Sequence, residues 1–447
     1  MNAHASHATL AELYPDHLRT VMARADAALA GSGFERLLVA SGRLRYAFHD
    51  DNPFPFRINP SFKAWLPLDG LTDSWLLYEP GRRPTVIYCQ PADYWHLPPS
   101  PPQGYWTEHV DVVVVRTPEE AQRHLPPPAG CAIIGEPEWA LGEHVPNNPA
   151  LVVNRLAHAR AAKTAYELEA MRMASRRAVR GHRAAAQAFR EGRSERVIHE
   201  AYLHATGHSD NDLPYGNIVA LNEHGAVLHY QHQRHDLPDA HRSFLIDAGA
   251  QAVGYAADIT RTYGNGDAIF QALVDGVEKL ELGLCELVRP GSDYRDIHLV
   301  AHRGVAGLLK DLGVVRMDVE AMLAGGVTST FFPHGIGHLL GLQVHDVAGF
   351  AAAPDGGSID KPDGHPFLRL TRVLGEDFVV TIEPGVYFIP MLLEQLRAGP
   401  HAAAVDWSLV EHLSRFGGVR IEDNVRAVVD AAPENLTRAA FAEPAAH

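Results

Sequence analysis

The chain has 447 residues, 46% of them hydrophobic, enough for two domains and a core that needs no covalent staples. Thirty-nine Lys and Arg against 54 Asp and Glu leave a formal charge of −15, which argues against a broad basic footprint for nucleic acid. Three scattered cysteines, Cys89, Cys131 and Cys285, exclude a disulfide framework or a CxxC knuckle and read as buried thiols of a reducing compartment.

The N-terminal stretch has no basic segment leading into an apolar one, so a signal peptide is not expected. Leu10, Leu13 and Leu18 fall instead at helical spacing. No apolar run reaches the roughly 18 residues of a spanning helix, so the expected setting is cytoplasmic, with no membrane partner. Short apolar runs at 37–40, 75–78, 85–88, 112–115 and 132–134 read as strands. Breaks such as LPPSPP and LPPP separate them, and residues 1–160 form an expected N-terminal α/β domain.

Thr164 and Glu167 make a capping box, in which a hydroxyl and a carboxylate satisfy free N–H groups at a helix start. Leu168, Met171, Ala178, His182, Ala185 and Phe189 follow at three- or four-residue steps, so one helix face is buried. Gly192 and Ser194 punctuate its end and the next start. The expected boundary lies at 150–165, with a second domain over 161–432. The Ala-rich tail at 433–447 reads as loosely held.

Within the second domain, residues 243–262 read as a β-hairpin bending between Ala252 and Val253. That register sets Asp247 directly opposite Asp258. Like charges so placed repel, and in apolar company they are costly; a bound cation resolves both. The alternative is a bend one residue away, with one Asp merely solvated. A second dense stretch carries His334, His338 and His345 among Gly335, Gly337 and Gly341. Imidazoles there offer a ligand and proton carriers, although 27 histidines in the chain make chance clusters common. Position 335 is Gly, so the stretch is not the HExxH of a zinc protease. Glu383 interrupts an apolar strand before a Pro-Gly turn, and Glu422 lies in GGVRIEDNV. Taken singly, either also reads as a strand-end acid with an ordinary ion pair. Four carboxylates with one imidazole suit hard divalent ions and exceed the charge of one, which favours a two-metal hydrolase centre.

Asp247, Asp258, His338, Glu383 and Glu422, in that order, resemble the metal set of the pita-bread metallopeptidases. The stretches LIDAGAQAVGYAADITRTY, PHGIGHLLGLQVHDV, VTIEPGVYF and GGVRIEDNV match that family's pattern in order and spacing. The likeness is greatest to its bacterial Xaa-Pro dipeptidase (prolidase) branch and extends to the organophosphorus acid anhydrolases. It covers nearly the whole chain, including DDNPFPFRINPSFKAWLPL, ATGHSDNDLPYGNIVALNEHGAVLHY and ENLTR.

The resemblance implies a mixed α/β fold: an N-terminal α/β domain, then a pita-bread catalytic domain of two pseudo-equivalent halves. It implies two divalent ions per subunit, manganese first with cobalt or zinc as alternatives, and a homodimer. Asp247 would hold one ion and His338 the other, Asp258 and Glu422 would bridge, and Glu383 would be ligand and general base. His345 and His229 match active-site histidines, either of which would protonate the leaving nitrogen. His334, Tyr215, Arg369 and Arg420 match pocket positions. Arg369, then Arg420, would hold the substrate carboxylate, and Asp50 or Asp51 would cap its amine, reaching across a dimer interface. Trp95 reads as a dimer-site wall or a core residue.

The implied reaction is release of C-terminal proline from Xaa-Pro dipeptides, with a side activity on organophosphorus esters or fluoridates. The alternatives are an aminopeptidase P acting on longer peptides, a creatinase-like hydrolase without metals and a non-catalytic interaction module. The intact ligand set argues against the last two.

Overall fold

In the computed structural model, which describes residues 3–444, the chain divides into two units. One runs to Ala170 and includes Ala351–Ser358; the other holds the remainder.

The first unit is built on a mixed five-stranded sheet. Its strands lie in the order Asp111–Val115, Thr85–Cys89, Trp75–Tyr78, Arg36–Ala40, Cys131–Ile134. These are the five expected strands, each within a residue of its expected bounds. The outer pairs are parallel and the inner ones antiparallel. Leu38, Ile87, Cys89, Cys131 and Ile133 meet in its core, so both cysteines of this unit are buried thiols, as is Cys285 in the other. The opening helix Ala3–Leu29 buries Leu10, Tyr14, Leu18, Val21 and Ala25 at helical steps. The capping box is made: Thr164 N–H donates to Glu167 Oε2 (2.7 Å) and Glu167 N–H to Thr164 Oγ1 (3.3 Å).

Two features of this unit depart from the expectation. The hairpin Ala351–Ala353/Gly356–Ser358, inside the expected second domain, belongs here, with Arg155 Nε donating to Asp355 Oδ1 at 2.6 Å. The division falls at Ala170, inside the helix Ala165–Arg190, rather than before it. Trp95 is 77% exposed beside Tyr94, which excludes a core role. Asp50 and Asp51 are exposed too; Asp50 accepts from both nitrogens of Asn52.

The second unit repeats one order of elements. The helices Ala165–Arg190 (from Met171 on) and Glu195–Thr206 precede the strands Ile218–Leu221, Ser243–Asp247 and Thr260–Gly264, paired antiparallel with Ser243–Asp247 central. The helices Ala268–Cys285 and Tyr294–Asp311 then precede Val379–Ile382, Gly385–Tyr387, Gly418–Arg420 and Asp423–Arg426. A bridge between Thr260 and Glu422 joins the two halves. The expected helix face is buried at Met171, Ala178, His182, Ala185 and Phe189.

The tail read as loosely held is packed through its described residues. Glu434–Asn435 pairs with Asp423–Arg426, and the helix Leu436–Ala442 buries Leu436, Thr437 and Ala440. Small residues let it lie close, and its Arg438 reaches buried acids. Residues 445–447 of the expected tail lie outside the described residues.

Candidate active site

The hairpin that carries the first two acids bends one residue later than its spacing suggested. Ala252 faces Tyr255 across a two-residue turn of Val253 and Gly254, with φ of +43° and +90°. Such turns need two positive φ values; the β-branched Val253 is an unfavoured host, and the sequence disguises the bend. Asp247 therefore pairs with Thr260 rather than with Asp258. The ladder breaks on both strands at 248–249 and 258–259, and this break turns the two acids to a common target. Tyr215 Oη lies 2.7 Å from Asp247 Oδ1 and 2.5 Å from Asp258 Oδ1, so one phenolic proton serves both. Asn424 pins the backbone of Asp258, accepting from its N–H and donating to its carbonyl.

The His-rich stretch runs beside the strand Val379–Ile382. Thr381 N–H donates to the His338 carbonyl (3.0 Å) and Glu383 N–H to the Ile336 carbonyl (2.9 Å). Gly337 makes that approach possible: its φ is +150°, and a Cβ there would sit 2.2 Å from the Thr381 carbonyl oxygen. His338 Nδ1 donates to the Leu339 carbonyl at 3.0 Å, which leaves Nε2 with its lone pair toward Asp258 Oδ2 (3.5 Å) and Glu383 Oε1 (3.7 Å). His345 packs edge-on against His338, ring centroids 4.3 Å apart. His334 donates from Nδ1 to the Gly335 carbonyl and meets Tyr387 Oη through Nε2, each at 2.8 Å.

Glu422 completes the set. Donor atoms of Asp258, His338 and Glu422 all lie within 4.8 Å of one another, and all three residues are buried. Thr260 Oγ1 donates to Glu422 Oε2 at 2.6 Å. Among the described residues Arg420 is the one guanidinium bonded to these carboxylates, donating to Asp247 Oδ2 (2.6 Å), Tyr387 Oη (2.7 Å) and Thr260 Oγ1 (3.2 Å). Its charge is spent inside the protein.

One arginine and one imidazole do not balance four acids, and the carboxyls register this. Burial, then repulsion from Asp258 and Glu383, pushes Glu422 well above the usual range. Burial carries Glu383 up to about 7 against the pull of His338 and Arg420. Burial also raises Asp247, against Arg420. At Asp258 burial is outweighed by the adjacent His338 imidazole together with the Tyr215 hydroxyl and His345, and that carboxyl is held low. Burial and the neighbouring cations take His345 down to about 4 and His334 to about 3.

Two family models match, one toward each end of the chain. Residues 12–158 match the family model for the Xaa-Pro dipeptidase N-terminal domain, and residues 169–428 that for metallopeptidase family M24. The chain belongs to metallopeptidase family M24. Among its curated relatives, the Xaa-Pro dipeptidase of Xanthomonas axonopodis pv. citri is 56% identical over 97% of this chain and 99% of its own. That of Stenotrophomonas maltophilia is 54% identical over 96% and 97%. Aminopeptidase P from E. coli, solved with the inhibitor Pro-Leu, superposes with a TM-score of 0.70 at 23% identity, covering 95% of both chains. Proline aminopeptidase P II from Yersinia pestis gives 0.71 at 22%, over 96% and 97%. These solved structures share the M24 pita-bread fold with this chain, preceded in both cases by an N-terminal domain.

An M24 metallopeptidase binds divalent metal, and the donor set fits such ions: hard carboxylate oxygens, one imidazole with a fixed tautomer and excess buried negative charge. Of the other expected site residues, Tyr215 and Arg420 sit within the acid cluster. Arg369 is exposed and makes no hydrogen bond or ion pair among the described residues, yet it is near enough to His345 to lower its pKa. His229 is exposed on a turn and acts likewise on His345 and His334. Asp51 belongs to the first unit. Thr260, Tyr387 and Asn424 were missed; each is an ordinary strand residue with no motif of its own, and only nearness to the acids in sequence hinted at Thr260 and Asn424.

Proposed function

We propose that this chain is an Xaa-Pro dipeptidase, a metal-dependent hydrolase releasing C-terminal proline. The observation that carries the reading is the convergence of Asp258, Glu383 and Glu422 on His338, with Asp247 joined to Asp258 through the Tyr215 hydroxyl and Arg420 the one guanidinium bonded to these carboxylates among the described residues. Asp247, Asp258, His338, Glu383 and Glu422 would together hold two divalent ions. When bound, such ions supply Lewis acidity that lowers the pKa of water and polarises the scissile carbonyl.

The protein's own groups do the rest. Glu383 is assigned the proton of the attacking water, as a carboxylate beside the ions that would activate it. A bond to proline has no N–H for strand-like pairing, so the carbonyl must be gripped directly. We assign a hydrogen bond to that oxygen to His345, kept neutral by burial and its cationic neighbours. The proline nitrogen takes its proton from His229. Tyr215 and Arg420 steady Asp247, while Tyr387, bonded to both Arg420 and His334, fixes the wall behind them.

Recognition of a dipeptide needs both ends. Arg369, without a hydrogen bond or ion pair among the described residues, is our choice for the carboxylate over Arg420, which is committed to Asp247 and Tyr387. The amine is assigned to Asp51 of the partner subunit in a homodimer. Manganese as the ion, a cytoplasmic setting and a side activity on organophosphorus esters or fluoridates belong to the same reading. No helix among the described residues is long and apolar enough to cross a membrane.

The test is proline release from an Xaa-Pro dipeptide and an Xaa-Pro-Yaa tripeptide, using chelator-stripped protein with and without Mn²⁺. Metal-dependent turnover of the dipeptide alone is expected. Cleavage of the tripeptide would move the chain to the aminopeptidase P class, and no turnover with any divalent ion would end the reading.

A further inference from the structure

Three histidines of the second unit meet outside the carboxylate centre. His298 and His302 lie one turn apart on the helix Tyr294–Asp311, so their rings share a face. His365 comes from the segment leading to Val379–Ile382. Ring centroids lie 4.7 Å apart for His298 and His302, 4.6 Å for His298 and His365, and 4.4 Å for His302 and His365. One nitrogen from each ring lies within 4.8 Å of the other two.

The hydrogen bonding around them is incomplete. His298 and His302 are 1% and 2% exposed. Their Nδ1 and Nε2 atoms respectively are buried without a hydrogen-bond partner among the described residues. Buried polar atoms are satisfied in all but a few places, and two orphans in one cluster ask for a physical explanation. No carboxylate bonds to any of the three rings among the described residues. His302 Nδ1 meets Thr328 Oγ1 at 2.9 Å, His298 Nε2 meets His365 Nδ1 at 2.9 Å, and the Phe332 ring closes the side. Burial and the neighbouring rings hold His298 at about 2 and His302 at about 3, so these imidazoles are neutral and keep their lone pairs.

We propose that His298, His302 and His365 form a further metal site, for a nitrogen-preferring divalent ion of the zinc class. With Thr328 accepting from Nδ1, the His302 Nε2 lone pair is free, the arrangement that orients a metal-binding histidine. Two donors on a tetrahedral ion with Zn–N of about 2.0–2.1 Å stand about 3.3 Å apart. His298 Nε2 and His365 Nδ1, 2.9 Å apart, are already near that spacing; an ion would replace their hydrogen bond and take up the unpartnered His302 Nε2, with the His298 proton on Nδ1. Three neutral imidazoles bind through lone pairs, so occupation releases no net proton. An all-imidazole set selects zinc, nickel or copper over manganese, opposite to the carboxylate centre. The site would also have a structural effect. Phe332 lies 4.8 Å from His302 and 4.9 Å from His334, centroid to centroid, so an ion here would brace the start of the stretch that carries His334 and His338.

The experiment counts metals rather than turnover. Full-length protein saturated with Mn²⁺ receives one equivalent of Zn²⁺ and is desalted, and both metals are measured per chain by mass spectrometry. Wild type should keep one zinc in addition to its manganese. His302→Ala and His365→Ala should each lose that zinc and retain manganese. Zinc gained only in exchange for manganese overturns the proposal, as does wild-type zinc content in both variants. His365 is a partly exposed loop residue, so its variant keeps the test decisive if His302→Ala fails to fold. Because no peptide is involved, failure here is separate from failure of the dipeptidase reading.

Discussion

Glu422 and Asp423 are neighbours in the chain and equally hidden from water, yet their surroundings are opposite. Asp423 accepts from Arg261 (2.7 Å), Arg438 (2.6 Å) and Asn435 (2.8 Å). Arg438 also reaches Glu278 and Glu281. Burial opposes ionisation of Asp423, but the two guanidinium groups hold its carboxyl below the usual range. Among the described residues Glu422 receives only the Thr260 hydroxyl on its side chain, and it shares its space with three more acids. An extended chain sends successive side chains to opposite faces, so one residue step separates a balanced network from an unbalanced one. Buried acids matched by cations hold the fold together. Buried acids left unmatched weaken it and mark where a cation is to bind.

The largest effect that would break this contrast is on activity. Glu422→Gln keeps the Thr260 contact and removes a charge, so metal retention should fail and turnover drop on the order of a thousandfold or more, several kcal/mol of transition-state stabilisation. The same variant, stripped of metal, should melt no lower than stripped wild type, because repulsion has been relieved. A lower melting temperature would show that Glu422 was not an unbalanced charge. Arg438→Met tests the other side. Removing one partner from a buried ion-paired set costs about 3–5 kcal/mol; with the Arg438 side chain 27% exposed, about 3 kcal/mol is expected from urea unfolding. A loss under about 1 kcal/mol would place Asp423 among ordinary surface pairs.

A smaller effect separates the two arginines. Arg420 is committed to Asp247 and Tyr387, whereas Arg369 is free. Losing a charge-assisted hydrogen bond costs about 1.5–3 kcal/mol, so Arg369→Ala should raise KM for the dipeptide roughly 30-fold with metal content intact. An unchanged KM would remove it from carboxylate binding.

Much of this was legible beforehand because strands and metal ligands leave strong local patterns. The five N-terminal strands, the capping box and the buried face after Leu168 follow from periodicity alone. The carboxylates of the hairpin were recognisable as a pair, but their register was not, since Val253 takes a left-handed conformation that β-branched residues avoid. Arg420 and His229 were assigned to the pocket by resemblance alone, and nothing in their local sequence foretold that the first is buried and the second exposed. Both depend on partners far away in the chain. The same is true of the hairpin at 351–358, whose short Ala and Gly strands carry no pattern that assigns them to the first unit, and of the tail, held by strand pairing, buried apolar residues and an arginine meeting acids some 15 to 160 positions away.

The most delicate test concerns Glu281, which lies on the balanced side but is not fully matched. Burial, then the charge of Asp423, pushes it up to about 8, against the pull of Arg438. Cys285 Sγ donates to its Oε1 at 2.7 Å. In the unfolded chain this carboxyl titrates near its ordinary 4.5. Below that pH both states carry the proton and stability is unaffected. As pH rises from 4.5 toward 8 the unfolded chain releases the proton while the folded one keeps it, so stability falls across that window and levels off above it. Glu281→Gln fixes the protonated form and should remove up to one proton from the slope of unfolding free energy against pH. The comparison is made on metal-free protein between pH 5 and 8, where His side chains shared by both proteins cancel. Identical slopes for wild type and variant would mean that Arg438 keeps Glu281 ionised throughout, and that the network beside Asp423 is balanced in full rather than in part.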